Sequence, residues 1–172
     1  MKKMMAVLCS MAILSCMVVS PVHAAENCDV EKAEIISVDE SKDVVGENES
    51  IDYLTDKTRG KKKPSTSSTW DIYLQDYVFN LDFTTALYSN YNFSNHGGEI
   101  KVTVTCNSSN PDKIKMELYE AGGTKVLATL DLNPNGTTTG RFYNLDLKTN
   151  YYYKFVSPNN YSVTGEGRLY KD

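Results

Sequence analysis

The carboxy-terminal part of the chain alternates apolar and polar residues with a period of two. One run is Ile100-Lys101-Val102-Thr103-Val104-Thr105-Cys106, and similar alternation occupies residues 77–83, 114–118, 126–132 and 151–155. Strict alternation places one face of a strand on a core and the other face in water. The pattern therefore predicts strands rather than helices from Trp70 to the end of the chain.

Turn residues separate these runs at short intervals. Ala121-Gly122-Gly123-Thr124 predicts a hairpin, because glycine accepts the positive φ of tight turns. Asn133-Pro134-Asn135-Gly136 combines a proline with a glycine in the order that a turn requires. We therefore predict an all-β fold over residues 70–172. The expected architecture is an antiparallel β-sandwich of seven to eight strands, either jelly-roll or immunoglobulin/fibronectin-like.

The first 24 residues have a different pattern. Lys2 and Lys3 precede an apolar run over residues 4–19, and Val22-His23-Ala24 then supplies small residues at the spacing of a cleavage site. This order is that of a secretory signal peptide, and the run is too short for a membrane span. We expect a bacterial protein that is secreted to the extracellular space, with a mature chain beginning at Ala25.

Export determines which of the four cysteines remain in the mature chain and can form a disulfide bond. Cys9 and Cys16 lie within the signal, which leaves Cys28 and Cys106 for one disulfide bond. Two unpaired thiols are the alternative, since Cys106 falls on the apolar face of its run. Separately, Ile13-Leu14-Ser15-Cys16 resembles the lipobox of bacterial lipoproteins. Lipidation of Cys16 would make the protein a cell-surface lipoprotein, and only then do we expect membrane attachment.

Residues 25–69 have the composition of an acidic flexible tail that ends in a linker. Eleven acids face three bases from Ala25 to Thr58, and Tyr53 is the only aromatic residue of the stretch. Gly60 to Thr69 is basic and then rich in serine and threonine, which predicts a linker that is solvated or binds an anionic surface. The remaining chain is nearly neutral, so we expect no nucleic-acid partner.

Two resemblances concern the last part of the chain. Asn144 to Phe155 is similar to the leucine, short turn, tyrosine strand of fibronectin type III modules, in which the tyrosine pins the corner. The wider run from Gly98 to Tyr170 is more similar to the bacterial prepeptidase C-terminal domain. The similarity lies in the segments IKVTVT, IKMELY, TNYYYKF and YSVTG. It implies a non-catalytic adhesion, carbohydrate-contact or secretion-associated role, and it transfers no catalytic residue.

The mature chain offers few residues for catalysis or metal binding. His96 is its single histidine and stands beside two glycines, and neither a Gly-x-Ser-x-Gly motif nor a Cys-x-x-Cys pair is present. We therefore predict no enzymatic activity, no cofactor and no metal site. A small secreted hydrolase is the least favoured alternative. A pocket with two close carboxylates, or His96 beside a serine, would favour it.

The twelve tyrosines carry the functional hypothesis. Successive side chains of a strand point to opposite faces, so Tyr152 faces away from Tyr151 and Tyr153. If that pair is core, Tyr152 is exposed beside Tyr119 or Tyr143 of a neighbouring strand. We predict ligand-binding roles for Tyr91, Tyr119, Tyr143 and Tyr152, because exposed aromatic rows stack on sugars or anchor proteins. The alternative is that these rings only pack on the sheet.

Together these patterns predict a secreted, non-catalytic binding module. Its expected partner is a glycan or protein of the cell envelope or the extracellular space. A structural or tethering component of a secreted assembly is the alternative. The sequence does not indicate the oligomeric state.

Overall fold

The computed structural model describes residues 32–39, 51–55 and 60–171. These residues form twelve strands and a short 3-10 turn at Pro158–Asn160. The strands are β1 (Ala33–Asp39), β2 (Ile51–Thr55), β3 (Thr69–Asp71), β4 (Tyr77–Phe83), β5 (Ala86–Tyr88), β6 (Asn92–Ser94), β7 (Ile100–Ser108), β8 (Ile114–Glu120), β9 (Val126–Leu132), β10 (Asn135–Phe142), β11 (Tyr151–Val156) and β12 (Val163–Tyr170). The predicted all-β class is confirmed.

The strands form two sheets that pack on each other as in a sandwich. The first sheet has the order β1-β10-β7-β12-β4-β2, and the second has the order β3-β6-β11-β8-β9 with β5 also paired to β11. All pairs are antiparallel except β2 with β4 and β3 with β6, which are parallel. The described residues therefore hold more strands than the seven to eight predicted. The additional ones are three-residue strands, too short to show a period of two, and strands that precede Trp70.

β1 and β2 belong to the stretch for which composition predicts a flexible tail. β1 pairs with β10 from Ala33 opposite Phe142 to Asp39 opposite Thr137, and β2 pairs with β4 along its whole length. Leu54 of β2 is buried in the core. The amino-acid composition of an acidic stretch gives no sign of such backbone pairing or of a single buried side chain. Residues 1–31, 40–50 and 56–59, with the predicted signal peptide, lie outside the described residues.

The core lies between the two sheets and uses the apolar face of each predicted run. Ile100, Val102 and Val104 of β7 are fully buried, as are the core-facing residues of β8 and β11. Aromatic pairs join the sheets: Phe79 lies 5.7 Å from Phe155 between ring centroids. Each such large side chain contributes about 1.5–3 kcal/mol on burial. The alternation of apolar and polar residues along each strand therefore determines which face of each sheet is turned away from the core.

The corner before β11 is held by Tyr151. Its phenol oxygen accepts a 2.8 Å hydrogen bond from the backbone N–H of Asp146, five residues earlier, and Leu145 beside it is buried. This is the contact expected from the leucine, turn, tyrosine pattern. The hairpin between β8 and β9 likewise has Gly122 at φ +78°, as its sequence predicts.

Candidate functional site

Tyr119 and Tyr152 meet on the outer face of the second sheet. They are directly opposite in the β8–β11 pairing, and their rings stack with centroids 5.0 Å apart and planes 8° apart. Tyr88 of β5 extends the row, with its ring 6.2 Å from that of Tyr152. The predicted orientation of Tyr152, away from Tyr151 and Tyr153, is therefore correct.

The predicted exposure of Tyr152 is wrong. Only 2% of Tyr152 and 7% of Tyr119 are accessible to solvent. The Tyr152 hydroxyl donates a 2.8 Å hydrogen bond to the carbonyl of Gly123. Alternation along a strand tells which face a side chain takes, but it does not tell what else covers that face. These two rings do not form an open platform for a sugar.

The covering element is the strap, which we define as residues 60–68. At its start the Gly60 carbonyl accepts a 2.8 Å hydrogen bond from the N–H of Tyr88, in β5. Further along, Lys63 Nζ donates to the carbonyl of Gly122, at the end of β8, over 2.9 Å. Because β11 lies between β5 and β8, the strap crosses the start of β11, which accounts for the burial of Tyr152.

Asn92 of β6 anchors the far end of the strap. Its Nδ2 donates to the carbonyls of Ser65 and Ser68 over 2.6 and 3.0 Å, and its own N–H donates to Ser68 over 2.8 Å. Pro64, in the middle, is buried. The segment predicted as a solvated linker is therefore attached to the sheet at both ends.

A polar network lies next to the covered tyrosines. The Tyr119 hydroxyl donates a 2.6 Å hydrogen bond to Glu117 Oε2, and Lys154 Nζ lies 3.2 Å from the same oxygen. Burial, and then the Glu117 carboxylate, raise the pKa of Tyr119 well above its ordinary value. Tyr119 therefore stays protonated and neutral at physiological pH and serves the packing of this face.

Tyr91 lies apart from that row, in a second aromatic group. Its ring is 5.4 Å from the ring of Trp70 and 5.9 Å from the ring of Tyr77. Tyr91 is half-buried and lines a groove of about 410 Å³ between the strap and the loop that follows β5. We call this groove the strap groove; its lining residues are Lys62, Lys63, Pro64, Ser68, Ser89, Asn90 and Tyr91.

Asp52 of β2 is hydrogen-bonded to Asn90, one of the residues that line the strap groove. Its Oδ2 accepts a 2.8 Å hydrogen bond from Asn90 Nδ2 and another from the Tyr77 hydroxyl, also at 2.8 Å. Tyr77 is buried, and burial followed by the Asp52 charge raises the pKa of its hydroxyl far above the ordinary value. The loop after β5 that carries Asn90 is thus bonded to β2, a strand that lies far away in the sequence.

Tyr143 is not part of either group. It follows β10 of the first sheet, and its N–H donates a 2.9 Å hydrogen bond to the carbonyl of Lys32. The Arg141 guanidinium lies 5.4 Å from the centre of the Tyr143 ring and forms ion pairs with Glu34 and Glu99. Of the two neighbours predicted for Tyr152, the structure has Tyr119 and not Tyr143, because β10 and β11 belong to different sheets.

His96 lies near a carboxylate and a serine, the combination that would favour a hydrolase. Its Nε2 is 3.4 Å from Asp71 Oδ2, and the Ser94 hydroxyl interacts with the same carboxylate. A hydrogen bond from the N–H of Tyr73 lowers the pKa of Asp71. In a serine-hydrolase triad the histidine stands between the serine and the carboxylate. Here the carboxylate contacts both other groups, so the triad order is not formed.

Cys106 is buried in the core and forms no disulfide bond with any described residue. Burial raises its pKa to about 12. Cys28, its predicted disulfide partner, and Cys16, the predicted lipidation site, lie outside the described residues. The disulfide and the lipid therefore stay predictions.

Within residues 32–39, 51–55 and 60–171, no three His, Cys, Asp or Glu side chains are grouped so as to share a metal ion. The same part of the chain contains no helix with the length and apolar character of a bilayer crossing.

The strap groove is the site that the pattern of tyrosines does not reveal. Only Tyr91 of its lining residues is among the predicted ligand-binding residues. The basic run at Lys61-Lys62-Lys63 is the sequence signal for it, through the alternative that this segment binds an anionic surface. No protein-family model matches the chain, and no curated protein matches its sequence.

Proposed function

We propose that the mature protein is a secreted, non-catalytic binding module that contacts an extracellular or cell-envelope glycan through the strap groove. The observation that carries this proposal is the lining of the groove. One aromatic side chain, Tyr91, stands there with the Ser68 hydroxyl and the ammonium group of Lys62. Sugar sites combine an aromatic surface with a few polar groups in a concave site.

The groove offers hydrogen-bonding groups. Ser68 and Tyr91, which line it, each carry a hydroxyl that can donate a hydrogen bond. Ser89, in contrast, is saturated: its hydroxyl donates to the Tyr91 carbonyl over 2.9 Å and accepts from the N–H of Tyr153 over 3.1 Å. Ser89 therefore shapes the groove, while Ser68 and Tyr91 contact the ligand.

The resemblance of residues 98–170 to the prepeptidase C-terminal domain supports the same class of function. That resemblance, and the finer jelly-roll or fibronectin-like description of the sandwich, are parts of this proposal. A protein partner is the second class. A tethering component is less favoured, because the stretch that would act as a free tether contributes β1 and β2 to the first sheet.

A glycan array probed with the mature chain tests the proposal, followed by calorimetry on each glycan that binds. Tyr91→Ala should reduce the affinity at least about tenfold, whereas Tyr161→Ala, an exposed tyrosine outside the groove, should leave it unchanged. Tyr91→Phe preserves the packing on Trp70 and separates loss of the hydroxyl from loss of fold. Absence of binding to every glycan, or unchanged affinity of a folded Tyr91→Ala, would refute the proposal.

Export is tested separately by the intact mass of the native protein. A mass equal to that of a chain beginning at Ala25 supports secretion. A mass equal to that of a chain beginning at a lipidated Cys16 supports a cell-surface lipoprotein instead. An uncleaved chain would contradict both localisations.

A further inference from the structure

The described lining of the strap groove carries positive charge. Among the lining residues that the structure describes are two lysines, and none of these described residues is an acid. Lys62 is exposed, and no carboxylate of the described residues lies within ion-pair distance of it. Its positive charge is therefore not neutralised within that part of the chain.

These lysines are held on a fixed backbone. The strap is bonded to Tyr88 at its start and to Asn92 at its end, and the buried Pro64 restricts it between the two. Lys63 donates one hydrogen bond to Gly122, which leaves two of the three ammonium donors for another group. A cation on an anchored segment loses less conformational entropy on binding than one on a free linker.

The Asp52 carboxylate, which contacts Asn90 of this loop, already has hydrogen-bond partners. Asp52 accepts hydrogen bonds from both Tyr77 and Asn90 and is not among the groove's lining residues. Two donors on one carboxylate oxygen offset part of its charge. The charged groups among the described lining residues are therefore ammonium groups, and hydroxyl groups stand beside them.

We infer that the ligand of the strap groove is an anionic glycan, a polymer whose sugars carry carboxylate, sulfate or phosphate groups. This inference rests on the proposed function, since it names the class of glycan that the same groove binds. Lys62 and Lys63 contact the anionic group, while Ser68 and Tyr91 contact the sugar hydroxyls. An acidic peptide is less favoured, because only Pro64 and Tyr91 are apolar among the described lining residues, and protein partners need deeper apolar anchors.

The test uses the mature chain, immobilised polyglutamate and four immobilised glycans: neutral dextran, dextran sulfate, a phosphorylated dextran and polygalacturonate. The anionic glycans should bind and dextran should not. Binding should weaken as salt rises from about 0.05 to 0.5 M, because the contact involves exposed charges. The three anionic arms show which group is preferred.

Charge-removing variants complete the test. Lys62→Gln should weaken binding about two- to fivefold and the double variant with Lys63→Gln further, as for exposed ion pairs. Lys148→Gln, an exposed lysine outside the groove, is the matched control and should change nothing. Equal, salt-independent binding of neutral and anionic polymers would overturn this inference but not the proposed function. No glycan binding at all would overturn both, and Lys62-dependent binding of polyglutamate alone would replace the glycan by an acidic protein.

Discussion

The hydroxyl of Tyr77 donates a 2.8 Å hydrogen bond to the carboxylate of Asp52, a residue 25 positions earlier in the chain. Tyr77 is buried and belongs to the aromatic group that contains Tyr91 of the strap groove, and its ring lies 4.8 Å from that of Phe93. The hydroxyl thus has its partner only because β2 pairs with β4. This contact joins an acidic stretch of low aromatic content to the core of the sandwich.

Asp52→Ala should therefore destabilise the protein. The buried Tyr77 hydroxyl would lose its acceptor, which costs about 1–3 kcal/mol. Asn90 would lose the same carboxylate, so ligand affinity of the strap groove should fall as well. Urea denaturation followed by tryptophan fluorescence measures the stability, since Trp70 lies 5.4 Å from Tyr77.

Asp82→Ala is the control for this change. Asp82 is exposed on β4, the strand that pairs with β2, so its loss should alter the free energy of unfolding by less than about 0.5 kcal/mol. Tyr77→Phe in the Asp52→Ala background should restore part of the lost stability. Equal effects of the two aspartate variants would show that the hydrogen bond contributes nothing.

Two adjacent tyrosines of β11 should respond in opposite ways to removal of the hydroxyl. Tyr152 donates to the Gly123 carbonyl at 2.8 Å, so Tyr152→Phe should cost about 0.5–1.5 kcal/mol. The Tyr153 hydroxyl is buried and has no hydrogen-bond partner among the described residues. Tyr153→Phe should therefore leave the stability unchanged or raise it, because it removes an unsatisfied polar atom. Thermal unfolding of the two variants side by side measures this difference, and greater destabilisation by Tyr153→Phe would contradict it.

The buried tyrosines also predict a loss of stability in alkali. Burial raises the pKa of Tyr153 and Tyr77 well above the ordinary value near 10. Their stabilising contribution is therefore fully present below about pH 10. Above that pH the unfolded chain releases protons that the folded chain keeps, so the free energy of unfolding falls.

Urea midpoints measured from pH 8 to pH 11 check this pH dependence. The wild-type midpoint should decline from about pH 10 upward, and Tyr153→Phe should decline less, since it contributes one fewer raised pKa. A midpoint that rises with pH over this range would be the opposite sign and would contradict the burial of these hydroxyls.

Cys106 should be unreactive while the protein is folded. Burial raises its pKa to about 12, so the reactive thiolate is scarce at pH 8. In a Cys28→Ser variant of the mature chain, Cys106 is the only thiol, and an aromatic disulfide reagent should label it only after urea is added. Fast labelling of the folded protein would show that the core opens at β7, the strand that carries Cys106.

The alternating runs of the sequence determined the strands β4, β7, β8, β9 and β11 and the faces that they turn to the core. Ile100, Val102 and Val104 alternate with polar residues, and each is buried. Tyr152 points away from Tyr151 and Tyr153, and the corner hydroxyl of Tyr151 contacts Asp146. These features depend on neighbours within a strand or a turn, and local spacing determines them.

The tertiary structure alone decided which surface is open. β1 and β2 were not apparent, because their pairing with β10 and β4 is made with backbone atoms of residues distant in sequence. Tyr152 is covered because the strap crosses β11, and the groove beside it exists because Asn92 and Tyr88 hold that strap in place. Hydrogen bonds over long stretches of chain leave no periodic trace in a sequence, so the row of tyrosines was visible in advance and the strap groove was not.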